Sequence, residues 1–173
     1  CPAVRIETIA LQMARALAWA YRNAARFGGD SSRIVVAGHS AGGHLTACLL
    51  ATDWKMYDAG APEDLVPSGL SVSGLFDLIP LVPTTVNNAL KLDEPEAARN
   101  SPLHWKFSGR PVLDAWVGGG ESAEYHRQSR MVVDEWKKRG AQTAYREIAG
   151  ANHFTALAPL HDPESEISLR LAA

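Results

Sequence analysis

Between residues 6 and 27, apolar side chains return at steps of three and four: Ile6, Ile9, Met13, Leu17, Ala20, Ala24 and Phe27. That spacing puts them on one face of an amphipathic helix. Gly28-Gly29 predicts its end, because glycine accepts the left-handed conformation at a helix terminus. The pattern then changes. From Arg33 to Gly38 runs a short β-branched stretch bounded by turn residues, which predicts a strand buried on both faces. Helical spacing resumes from Ala41 to Ala51. Further strands are predicted at Gly69 to Ser73, Val112 to Val117 and Thr143 to Ile148, with a helix from Ser122 to Arg139 stopped by Gly140.

Strands alternating with helices predict an α/β architecture, a mostly parallel sheet flanked by helices, in one domain over residues 1–173. Residues 77–110 interrupt the alternation. They are rich in Pro and Asn and too long for a simple connection, so a cap-like insertion or binding loop is expected there. With 46% hydrophobic and 21% charged residues, the 173-residue chain has enough apolar material for such a core.

Charge and cysteine content narrow the chemistry. A formal charge of −2 offers no nucleic-acid surface, and no apolar run is long enough to cross a bilayer. Cys1 and Cys48 are too few for a disulfide framework and lack metal-ligand spacing, so a reducing cytoplasm is the default expectation. There is no H-E-x-x-H and no phosphate-binding glycine loop, so neither metal nor cofactor is expected. A homodimer stays open. The chain opens on Cys-Pro and passes almost at once into helix, so a longer gene product is expected.

One motif carries chemistry. Gly38-His39-Ser40-Ala41-Gly42, followed by Gly43, matches G-x-S-x-G at the end of a strand and the start of a helix. A serine in that tight turn exposes its hydroxyl, and glycines at 38 and 42 are expected to remove side chains that would clash with the neighbouring strand and helix. The Ala41 N–H, at the helix start, is placed to hold an oxyanion. The alternative is a glycine-rich connection without catalytic purpose.

Such a serine is followed along the chain by an acid and then a histidine, each on a loop after a later strand. His153 lies just beyond the last predicted strand and is the expected base, with His161 as the runner-up. His39 and His44 flank the nucleophile and are expected to support the turn. His104 falls in the insertion and His126 on a helix. Glu121 follows three glycines after the third strand, where it can hold an imidazole tautomer and stabilise its cation. Glu124 lies a turn into the helix and Asp114 inside the strand. Glu121 as a mere helix N-terminal carboxylate is the simpler alternative.

With these residues in hand, the chain resembles the arylformamidases (kynurenine formamidases), a branch of the α/β-hydrolases. The resemblance rests on Gly38 to Leu45, Ser73 to Leu78, Val86 to Leu90 with Ser101 to Leu103, and Glu121 to Ser129. The last block is the more telling, because the family's acid loop looks like D/E-S-x-E-F-x-R-Q-S and places its acid at Glu121. The family also carries a His-Gly-Gly motif upstream of the elbow that completes the oxyanion hole. This sequence has none, and by the family's order four strands and a helix are expected ahead of it.

The resemblance implies hydrolysis of an aryl formamide, N-formylkynurenine, through Ser40, Glu121 and His153. Two alternatives remain: a carboxylesterase of broad short-acyl specificity, and an inactive fragment of such an enzyme. Trp54, Tyr57, Trp105 and Phe107 are candidates to stack on an aryl ring, with Asn87 as a further substrate contact. Packing is the competing role for all four aromatics.

Overall fold

The computed structural model describes residues 1–172 of the chain. Its helices are α1 (Ile6–Asn23), α2 (Ala41–Leu50), α3 (Trp54–Tyr57), α4 (Asn87–Leu90), α5 (Glu94–Arg99), α6 (Ala123–Lys138) and α7 (Glu166–Ala172). Four strands, β1 (Val35–His39), β2 (Ser68–Val72), β3 (Val112–Gly118) and β4 (Gln142–Ile148), form one sheet in the order β1-β2-β3-β4. All neighbours pair in parallel, with Val35 beside Ser68, Ser68 beside Val112 and Val112 beside Gln142. Every strand therefore ends at the same sheet edge, where parallel α/β sheets mount their functional loops.

The two central strands, β2 and β3, are covered on both faces, as their apolar runs require. The expectation for β1 is corrected: it stands at the end of the described sheet and is only half-buried, with Ala37 exposed, because a single neighbouring strand flanks it. Leu113 and Ala115 of β3 face a core shared with α1, α2 and α6, where Trp136 and Val132 are fully buried. Trp116 points the other way, into a second cluster with Leu70, Val72 and Ile167 of α7. Alternate residues of one strand thus serve two cores.

The other predicted boundaries hold to within one or two residues, but α1 ends at Asn23, four residues before Phe27, and its face is corrected. Ala14 and Ala18 are its buried residues, with Leu17 and Tyr21 packed beside them, whereas Met13 and Phe27 are 40% and 73% exposed. Small side chains let α1 approach the core closely, so the buried strip is narrow and rotated from the bulkier one. After Asn23 the chain tightens into a 3₁₀ turn (Ala24–Phe27), whose shorter period carries Phe27 outward against Trp19. Gly28 then ends it at φ 75°, as expected.

Residues 77–110 are not a structureless loop. They hold α4, α5 and two 3₁₀ turns, Ile79–Leu81 and Pro102–His104. Polar side chains fasten them. Gln128 of α6 accepts from the N–H groups of Phe76 and Asp77 and donates to the Asp77 carbonyl. Ser101 Oγ accepts from Leu78 N and donates to Ala97 O. His44 Nε2 donates to the Asn100 carbonyl at 2.7 Å, tying the far end to α2. No helix among the described residues is long and apolar enough to cross a membrane.

Candidate active site

The turn between β1 and α2 is built around Ser40. Its φ of 56° and ψ of −116° lie in a region that side-chain-bearing residues rarely adopt. Strain of this kind persists where surrounding structure over-determines it. Here Ser40 N donates to the Val72 carbonyl at 2.9 Å, and Ser40 O accepts from His44 N. A Cβ on Gly38 would lie 2.2 Å from the Gly42 carbonyl oxygen, so the first glycine is required as expected. The second is corrected. A Cβ on Gly42 meets nothing among the described residues, whereas one on Gly43 would lie 2.8 Å from Gly74 Cα and 2.4 Å from Ser71 Oγ. Gly43 is the residue that lets α2 pass close over β2.

This predicts a contrast that thermal unfolding can read. Gly43→Ala should cost about 1–3 kcal/mol by overpacking. Gly42→Ala should be neutral or stabilising by up to about 1 kcal/mol, since alanine is the better helix former. Equal losses from the two would contradict the assignment of the close approach.

Two further loops at the same edge meet the serine. His153, beyond β4, directs Nε2 to Ser40 Oγ at 3.1 Å, and its Nδ1 donates to Glu121 Oε2 at 2.7 Å. A carboxylate can only accept, so the proton belongs on Nδ1, leaving the Nε2 lone pair facing the serine hydroxyl. Glu121, after β3, is almost wholly covered: its side chain is 1% exposed. Burial pushes its carboxyl upward, but hydrogen bonds from Ser73, His153 and the Gly118 N–H outweigh that and hold it below the ordinary range.

Three residues that sequence reasoning did not assign to the site complete it. Ser73, just past β2, donates to Glu121 Oε1 at 2.5 Å. His39, expected only to support the turn, donates from Nε2 to the His153 carbonyl at 2.8 Å and lays its ring 4.5 Å from the His153 ring. Tyr125, in the first turn of α6, packs against His153 from 4.6 Å. Burial, with the charge of Glu121, raises the Tyr125 phenol despite its interaction with Ser40, so it stays protonated. A serine or tyrosine near a strand end is too common a signal to single these out.

The remaining candidates are engaged elsewhere. His161 is exposed and directs Nδ1 to the Ala158 carbonyl, and His126 meets Tyr145 Oη. Glu124 is held by Arg127 and Gln128, and Asp114 by Arg170. The buried Cys48 thiol is pushed far up by burial, which leaves it unreactive. No group of three His, Cys, Asp or Glu among the described residues could hold a metal ion.

A cavity of about 450 Å³ opens beside Ser40, Ala41 and Tyr125. Its walls come from Ile6 and Ile9 of α1, Leu45 of α2, and Leu78, Val86 and Leu90 of the insertion, and no Asp, Glu, Lys or Arg among the described residues lines it. The expected aromatic contacts are corrected, since none of them lines this space. Trp54 is 2% exposed in the main core, and Phe107 packs on Trp136 at 4.9 Å. Tyr57 and Trp105 line a different groove between α1 and α2. The Asn87 amide is spent on the Val82 and Leu92 backbone. Large rings gain most from burial, and these four aromatics took it in the core or the second groove.

Comparison with known proteins agrees with this architecture. Residues 10–69 match the Carboxylesterase family. The kynurenine formamidase of Danio rerio is 33% identical over 136 residues, covering 76% of this chain and 45% of its own length. Esterase LipC of Mycobacterium tuberculosis is 46% identical over 161 residues, covering 83% of this chain and 40% of its own. The chain thus spans less than half of either relative. Among solved structures, a candidate thioesterase from Silicibacter superposes on the whole chain with a TM-score of 0.80 and 32% identity, with 61% of that protein covered. By its parallel four-stranded sheet and its match to a solved relative, the chain has a partial α/β-hydrolase fold, and by sequence it is similar to the kynurenine formamidases.

Proposed function

We propose that this chain carries the acyl-transfer machinery of a serine hydrolase, with an aryl formamide, N-formylkynurenine, as substrate. The observation that carries the reading is the unbroken hydrogen-bonded line from Ser40 through His153 to Glu121. His153 Nε2 takes the Ser40 proton as Oγ attacks the formyl carbon. The Ala41 N–H, in the first turn of α2 where no intrahelical acceptor exists, supports the developing oxyanion. Further donors are those the resemblance assigns to a His-Gly-Gly loop not found in this sequence. His153 then protonates the departing aniline nitrogen, and water releases formate from the formyl-enzyme. The name of the relative from Danio rerio supports this choice of substrate.

A second reading is favoured by the cavity. A formyl group needs almost no acyl pocket, yet about 450 Å³ of largely aliphatic-walled space adjoins Ser40, with no Asp, Glu, Lys or Arg among the described residues that line it. That lining suits the acyl chain of a carboxylic ester. The test is to compare kcat/KM for N-formylkynurenine with values for p-nitrophenyl acetate and hexanoate. The formamidase reading expects N-formylkynurenine to lead. If hexanoate exceeds both acetate and the formamide, the esterase reading replaces it.

A further inference from the structure

Ser73 occupies a position where its backbone conformation and its residue type disagree. Its φ is 52°, in the left-handed region that glycine adopts freely and L side chains rarely do. It is 0% exposed, and its N–H is fixed to the Trp116 carbonyl at 2.7 Å. What the side chain does there is donate to Glu121 Oε1 at 2.5 Å, beside the Gly118 N–H at 2.8 Å. The two donors saturate one carboxylate oxygen and leave the other for His153 Nδ1. A glutamate arm has one more rotatable bond than an aspartate, so an acid of this length needs a second anchor to hold its rotamer.

We propose that Ser73 is a positioning residue for the acid: by fixing Glu121 Oε1, its hydroxyl aims Oε2 at His153 and keeps the imidazole in the tautomer that can accept the Ser40 proton. This rests on the reading of Ser40, His153 and Glu121 as the catalytic set. The hydroxyl also binds the ionised carboxylate in preference to the neutral acid, so its removal should let Glu121 protonate at a higher pH.

The strained φ makes the role separable from folding. Ser73→Gly removes the hydroxyl while relieving the backbone, and Ser73→Ala removes it without that relief. In the intact enzyme, Ser73→Gly should keep or raise the melting temperature. Its kcat should fall about 10- to 100-fold, the weight of one hydrogen bond to a charged group, with KM within about twofold. Ser73→Ala should lose a similar factor in kcat. Wild-type kcat in Ser73→Gly would overturn the proposal. So would a kcat loss that only parallels a falling melting temperature. Ser40→Ala, run alongside, separates the two failures: a Ser40→Ala variant that keeps its activity sinks the catalytic set itself.

Discussion

Ser40→Ala is expected to lower kcat by about 10⁶ in the intact enzyme while leaving the fold in place. Only binding and oxyanion contacts remain when such a nucleophile is removed, and residues acting as one unit are lost together. The substitution takes away an atom that meets His153 Nε2 at 3.1 Å and adds no bulk to the turn. The strained backbone at φ 56° stays strained, so the melting temperature should change little. Turnover of a formamide or ester substrate, with thermal unfolding as a control, checks this. Retention of a tenth of wild-type activity would mean that another residue attacks.

The second large effect belongs to Glu121. Glu121→Gln is nearly isosteric, but the donors around it dictate which way the amide turns. Ser73 Oγ–H and Gly118 N–H both donate to the Oε1 position, so the amide oxygen must lie there. The amide nitrogen then faces His153 Nδ1, where it can only donate. Nδ1 must give up its proton, Nε2 takes it, and the base toward Ser40 is lost. A loss on the order of 10⁴ in kcat is expected, as for other acids whose amide enforces the wrong tautomer. Glu124→Gln, which touches only Arg127 and Gln128, should cost far less. A larger effect at Glu124 would overturn the assignment.

The same pair tests the lowered Glu121 carboxyl. A group with a depressed folded pKa contributes stability above its unfolded value, about 4.3 for glutamate, and loses it as pH falls through the folded value. The stability gap between wild type and Glu121→Gln should therefore be present at neutral pH and close below about pH 4. A gap that widens on acidification would mean the carboxylate is not the favoured form.

Sequence carries the parts of this architecture that depend on local chemistry. A β-branched run, a glycine-flanked serine and a helix must follow one another if the serine is to stand on a strained turn, and all three are adjacent in the chain. Glu121 and His153 could be singled out because parallel strands deliver their following loops to one edge, so chain order stands in for geometry. What cannot be read locally depends on which neighbour comes close. The pass of α2 over β2 makes Gly43 the constrained glycine instead of Gly42. The narrow alanine strip of α1 is decided by its approach to the core. The positive φ of Ser73 has no sequence signature, and aromatic residues at loop ends read equally well as substrate contacts or as core. Trp54, Tyr57, Trp105 and Phe107 pack in or against the main core, and none of them lines the described cavity beside Ser40.

The most direct test of the account is the site of attack by a fluorophosphonate, which reacts only with a serine that a neighbouring base has activated. The intact enzyme should be labelled, digested and mapped by mass spectrometry. The account predicts one adduct, on Ser40, absent in Ser40→Ala and formed far more slowly in His153→Ala. An adduct on another residue, or none on a protein that still turns over its substrate, would contradict it.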